Sequence, residues 1–441
     1  MIKTLKLFRK LYLLSIGLFL GTFASAQDIE YARHIVDTLS SSAFEGRGYV
    51  GNGDTVAARF IAGEFKKFGL TPFDRDFYQH YSFPMNTLPG NMEAKINGIP
   101  IPAGNGFQVW AASPSLKGTY KVFTLTQKVL KSPLKMAKLS LKDFSDTFIL
   151  IDKKGIEDKS VLSYIDSLKY TNYLQAKGFI FISDQKMVWS VMVGSQQRNY
   201  TVIDIRREYL PKNPKEIYLD IEARFVRYYH TMNVAGYIKG AVQPDSFLVL
   251  TAHYDHLGRM GNSVFYPGAN DNATGTAMLM NLASMFANSP EKPYYSMAFI
   301  LLSGEEAGLK GSNYCADHPL FNLQKVKFLI NIDMVGTGSE GITMVNATRY
   351  PEAYKSMSKI NADNEYILSV KERGESCNSD HCPFYKKGVP AIFLYSIGKE
   401  YSEYHNPDDK YESLPFSEYQ DIFRLVRDFL NSTPSWWFIS E

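Results

Sequence analysis

In the second half of the chain, apolar residues gather into four short, nearly unbroken runs: Phe247-Leu-Val-Leu250, Met297-Ala-Phe-Ile-Leu-Leu302, Phe328-Leu-Ile-Asn-Ile332 and Pro390-Ala-Ile-Phe-Leu-Tyr395. They are too short for typical helices and apolar on both faces, as expected of parallel strands covered on both sides. Between the first two lies Ala273 to Asn288, where Met278, Leu282, Met285 and Phe286 repeat at helical spacing. Strand–helix–strand alternation predicts an α/β fold, a mostly parallel twisted sheet with helices on both faces. Near the start, Ile29, Ile35, Val36 and Leu39 predict one helix. Phe60, Ile61, Phe65 and Phe68 predict a second, after a glycine-rich break at 46–53.

The texture differs between about residues 85 and 225. Prolines and turn glycines multiply (Pro84, Pro89, Gly98, Pro100, Pro102, Gly104, Gly106), and short β-type runs appear at Thr147–Ile151 and Gly178–Ile182. No cluster of His, Asp and Glu stands out there. The expected organisation is a discontinuous domain, 27–85 and 226–441, interrupted by a β-rich module at 86–225.

Residues 1–26 read as a secretory leader. Lys3, Lys6, Arg9 and Lys10 precede the apolar Leu11–Leu20, and Ala24-Ser-Ala26 offers a cleavage site. The apolar stretch is shorter than the roughly 20 residues that cross a bilayer, so a periplasmic or extracellular protein without a stable membrane anchor is expected. The four leader cations explain the formal charge of +3: without them 44 basic side chains face 45 acidic ones. No basic field is left for nucleic acid. Of the three cysteines, Cys377 and Cys382 are close enough to bridge, with Cys315 left over; all three could equally be small buried hydrophobes.

Open α/β sheets bind ligands beyond the carboxyl ends of their strands. Here those ends lead into His253-Tyr-Asp255-His256, Ser303-Gly-Glu305-Glu306, Asp333-Met-Val-Gly336 and a segment containing His405, and the loop Pro267–Gly275 adds Asp271. Imidazoles and carboxylates converge on one rim. Two imidazoles and three carboxylates suit a pair of borderline cations such as zinc, because a carboxylate can bridge two metals where imidazole normally cannot. Of two adjacent glutamates, only one easily reaches a given metal, which leaves the other free to handle a proton. Alternation along the strand end sets His256 apart from His253.

His253-x-Asp255, Gly268-Ala-Asn-Asp271-Asn, Gly304-Glu305-Glu306-x-Gly308, Asn331-Ile-Asp333-Met-Val-Gly, Ser379-Asp380-His381-x-Pro-Phe and the late His405 stand in the order used by the M28 family of zinc exopeptidases. The chain resembles its secreted aminopeptidase branch over roughly 230–430, and over 40–72 through Phe44-Glu-Gly-Arg47. The resemblance implies two zinc ions, with His253 and Asp333 on one, Glu306 and His405 on the other, and Asp271 bridging. It also implies Glu305 as general base for hydrolysing peptide substrates, and a cis peptide at Asp271–Asn272. Asp255 would fix the His253 imidazole, and Asp380 and His381 would line the site, either behind the metal ligands as support or in contact with substrate. The 86–225 module resembles a protease-associated domain. Two other readings stand beside this one. Glutaminyl cyclases share the architecture with a single zinc, and an inactive relative would serve as a binding module.

Overall fold

The computed structural model describes residues 29–432; the leader expected at 1–26 lies outside them. The helices α1 (Ile29–Ser40) and α2 (Gly53–Phe68) form as the spacing predicts, burying Ile35, Val36 and Leu39, and Ile61 and Phe65, respectively. Gly69 ends α2 in the left-handed conformation that glycine adopts at least cost.

The main sheet contains nine strands: β1 (Thr71–Pro72), β2 (Tyr78–Thr87), β3 (Arg224–Ile238), β4 (Gln243–His253), β5 (Tyr295–Leu302), β6 (Val326–Ile332), β7 (Gly341–Val345), β8 (Val370–Glu372) and β9 (Ala391–Ile397). Their order is β1-β3-β5-β4-β6-β9-β7-β8, with β2 also paired to β3. The centre, β5-β4-β6-β9, is parallel. Antiparallel pairs flank it, β3 with β5 on one side and β9 with β7 on the other.

Strand alternation splits the core into two layers. Leu248, Leu250, Phe299, Leu301, Ile330 and Ile332 face a cluster that includes α1, α2, the largely buried α3 (Thr274–Ala287) and α4 (Tyr419–Asn431). Val249, Ala298, Ile300 and Leu329 face a smaller cluster with Cys315 and Phe384. The apolar runs are therefore apolar on both sides because both sides are covered. Among the described residues no helix is long and apolar enough to cross a membrane.

A second, eight-stranded sheet draws its strands from residues 92–221. The long antiparallel pair β2–β3, with Tyr78 opposite Val234 and Thr87 opposite Arg224, leads into and out of it. It is not simply β-rich. Leu116–Leu125, Thr147–Ile151, Gly178–Ser183 and Thr201–Arg206 run parallel, and the helices Pro133–Leu139 and Lys159–Thr171 lie between them in sequence. The second of these buries only Ile165 and Leu168, a stripe too narrow to show among its polar neighbours. Phe107, Ile203 and Ile217 share one apolar cluster with Phe83 and Met85 of β2 and Tyr229 of β3, so the two sheets are joined by a continuous core. Cys377 and Cys382 form a disulfide, and Cys315 is free and buried.

Candidate metal centre

The parallel register brings the site together. His253, the last residue of β4, is paired with Leu302, the last of β5, so Ser303–Glu306 emerges beside it. Asp333 follows β6 directly, and its backbone N–H donates to the Leu394 carbonyl on β9. The chain leaving β9 returns His405 to the same rim. Asp271 sits in a tight loop opened by Gly268 in the left-handed conformation, where a Cβ would come 2.3 Å from the Asp271 carbonyl oxygen; only glycine fits. The peptide between Asp271 and Asn272 is cis, as the resemblance implies.

All five expected ligands meet. His253 Nε2 lies 3.4 Å from Asp271 Oδ1 and 3.3 Å from Asp333 Oδ1. His405 Nε2 lies 3.0 Å from Asp271 Oδ2 and 3.2 Å from Glu306 Oε2. The two oxygens of Asp271 thus face different imidazoles. Glu305 is half-buried and lines a cavity of about 640 Å³ together with His253, Asp271, Asp333 and His405.

Supporting groups were less visible in the sequence. The Asp255 carboxylate is not the nearest partner of His253: Nδ1 is 3.1 Å from the Asp255 carbonyl oxygen and 3.8 Å from Oδ1. Instead that carboxylate accepts from Tyr49 Oη at 2.7 Å and from the backbone N–H groups of Glu305 and Glu306 at 3.1 and 3.4 Å. Asp255 therefore holds the turn that carries both glutamates. Asp409 does the same for the neighbouring loop, accepting from the N–H groups of Asn270 and Asp271. Ser379 donates to Asp333 Oδ2.

Arg47 is fully buried, and its guanidinium donates to the carbonyls of Leu39, Tyr254, Pro267, Gly268 and Asp271 at 2.7–3.1 Å. Burial draws its pKa down to about 10, which leaves it charged at neutral pH. It ties α1 to both metal-site loops. Replacing Arg47 with methionine leaves those carbonyls without their donors and is expected to cost about 3 kcal/mol or more of folding stability. Urea unfolding of the metal-free protein checks this, and a loss under about 1 kcal/mol would show the guanidinium to be dispensable.

Strand alternation sets His256 apart from His253, but β4 ends at His253 and the alternation does not carry beyond it. The ring of His256 is buried, with Nδ1 2.8 Å from Glu306 Oε1. Asp380 and His381 do not line the cavity. Asp380 is fully buried, and loss of hydration raises its pKa to about 6. His381 is held against the Ser376 carbonyl, with burial lowering its pKa to about 4.

The donor set fits borderline cations. His253, Asp271 and Asp333 form one cluster, and Asp271 and Glu306 with His256 form another; in each, the ligand atoms lie within 4.8 Å of one another. Asp333 Oδ1 is buried without a hydrogen-bond partner, a position that a cation would complete. Without a cation, carboxylates crowd around few positive groups. Burial alone would disfavour charge on His253 and His405, yet the facing carboxylates, chiefly Asp333 and Glu306 respectively, hold both imidazoles well above the usual histidine range. Removal from water pushes Glu305 well above the usual carboxylate range.

Residues 233–430 match Peptidase family M28. Aminopeptidase YwaD of Bacillus subtilis is 25% identical over 350 residues, covering 76% of this chain and 72% of that protein. A glutaminyl-peptide cyclotransferase of Drosophila melanogaster is 24% identical over 350 residues, covering 70% and 95%. The solved structure of BSAP, a zinc aminopeptidase from Bacillus subtilis, superposes with a TM-score of 0.69 at 20% identity, over 91% of this chain and 94% of that one, and shares the fold. That match runs from β3 into α4, and the candidate metal ligands converge inside it, so residues 233–430 are similar to peptidase family M28.

Proposed function

We propose that the protein is an exported aminopeptidase that holds two zinc ions, one on His253 and Asp333, the other on Glu306 and His405, with Asp271 between them. The observation that carries this reading is Asp271 itself, whose two carboxylate oxygens face different imidazoles. His256 is assigned to orienting Glu306 rather than to binding metal, because its Nδ1 already meets Oε1 of that residue.

Zinc bound here would polarise the scissile carbonyl and lower the pKa of the attacking water. Glu305 Oε would take that water's proton and return it to the leaving amine. Its neighbour Glu306 diverges toward His405 and His256, which leaves Glu305 to face the cavity. Asp255 holds the backbone of both, so the base keeps its place relative to the metal ligands. Met334, Phe393, Tyr395 and Tyr404 give the cavity wall an apolar and aromatic character, which favours substrates with an apolar first side chain. The 86–225 segment is assigned as the protease-associated module.

A peptide panel with free and N-acetylated termini, assayed on zinc-loaded protein, tests the polarity. Free peptides are expected to lose residues from the amino end, and acetylation is expected to cost about a hundredfold or more in kcat/KM. Equal cleavage of both forms would overturn the aminopeptidase reading. Loss of ammonia from an N-terminal glutamine peptide, with no bond cleaved, would favour the cyclotransferase reading that the Drosophila relative raises.

A further inference from the structure

The 86–225 segment reaches the metal centre through its backbone. Trp189, in the stretch between Gly178–Ser183 and Thr201–Arg206, exchanges two hydrogen bonds with His405, 216 residues away in sequence. Its N–H donates to the His405 carbonyl at 2.9 Å, and His405 Nδ1 lies 2.9 Å from the Trp189 carbonyl oxygen. A carbonyl oxygen can only accept, so Nδ1 carries a proton, and in the neutral ring that would bind a metal Nε2 keeps its lone pair. Nε2 is the atom that faces Asp271 and Glu306.

Trp189 is itself firmly seated. Its ring stacks on Tyr266 with centroids 4.9 Å apart, and its indole N–H donates to the Val109 carbonyl at 2.7 Å. Three residues earlier, the Lys186 ammonium pairs with Glu403 and, at 2.7 Å, with Asp408, on either side of His405. His405 has a left-handed backbone, φ 50°, which a non-glycine residue adopts only when its surroundings hold it there. The loop after β9 is therefore clamped at three points by the 86–225 segment.

We infer that this segment is a working part of the metal centre, with Trp189 as a positioning residue that sets the tautomer and aim of His405. This rests on the reading of His405 as a zinc ligand. A module that only covered the cleft would change substrate access and leave metal affinity alone. One that aims a ligand changes the affinity of one ion of the two.

The test is a competition titration of zinc against a chromophoric chelator, with visible spectra of the cobalt-substituted protein, on the wild type and four variants of the full chain. Lys186→Met removes the two ion pairs from a half-exposed position and leaves the core intact. Trp189→Ala removes the anchor, and Trp189→Phe restores an aromatic ring. His405→Ala reports on the ligand assignment. The expected result is that Lys186→Met and Trp189→Ala weaken one zinc equivalent about ten- to a hundredfold. The cobalt bands of that site should shift, the other equivalent should be unchanged, and Trp189→Phe should recover part of the loss. If Trp189→Ala does not fold, Lys186→Met carries the test alone.

If His405→Ala loses one equivalent while Lys186→Met and the Trp189 variants bind both ions as the wild type does, the inference is overturned and the ligand reading survives. If His405→Ala itself retains both equivalents, the ligand reading falls and the inference falls with it.

Discussion

Asp271→Asn is expected to leave a folded protein that binds at most one zinc and retains less than about a thousandth of wild-type kcat/KM, since several kcal/mol of transition-state stabilisation goes with the metal centre. Each Asp271 oxygen faces an imidazole, Oδ1 toward His253 and Oδ2 toward His405. Asparagine turns one of these acceptors into an NH₂ donor aimed at an imidazole nitrogen, and it removes the negative charge that the two proposed cations would share. The loop itself should persist. Asp409 holds the backbone N–H groups at Asn270 and Asp271, and Arg47 holds the Asp271 carbonyl. Metal analysis after dialysis, read beside circular dichroism, separates the two effects. Two full equivalents of zinc in the variant would remove Asp271 from the bridging position.

Glu305→Gln should behave differently. Glu305 makes none of the close imidazole contacts that the five assigned ligands make, so both metals should stay. Glutamine keeps the size and the Asp255-supported backbone but cannot accept the proton. The expected loss is about a hundred- to ten-thousandfold in kcat, the usual contribution of a positioned general base, with little change in KM. Steady-state kinetics with parallel metal analysis measures both. Turnover within a few-fold of wild type would end the assignment of Glu305 as base, and loss of metal would recast it as a ligand.

Much of this site could be read from the sequence because parallel strands place their carboxyl ends side by side. Once Phe247–Leu250, Met297–Leu302, Phe328–Ile332 and Pro390–Tyr395 are recognised as adjacent strands, the residues just beyond them must share a rim. The register pairing His253 with Leu302 shows how directly this works. What stayed hidden depended on contacts that no local pattern encodes. Arg47 lies more than 200 positions from the carbonyls of Tyr254, Pro267, Gly268 and Asp271, and nothing in Phe44-Glu-Gly-Arg47 says that its charge is buried. His256 lies three residues beyond the end of β4, where strand alternation no longer applies. Asp255 was expected to hold an imidazole and instead holds two backbone amides, because a short carboxylate satisfies whichever donors the next loop brings to it. Trp189 meets His405 through its main chain, 216 residues away in sequence. Those hydrogen bonds are made by its backbone, which carries no residue-type signal at all.

The pairing of two ions on five side chains is the claim on which the mechanism depends. It is tested most directly by titrating the metal-free, full-length protein with zinc and counting equivalents by calorimetry and by metal analysis after gel filtration. The account predicts two equivalents, with hydrolysis of free-amine peptides reaching its full rate only as the second is bound. Saturation at one equivalent, with full activity at that point, would contradict it.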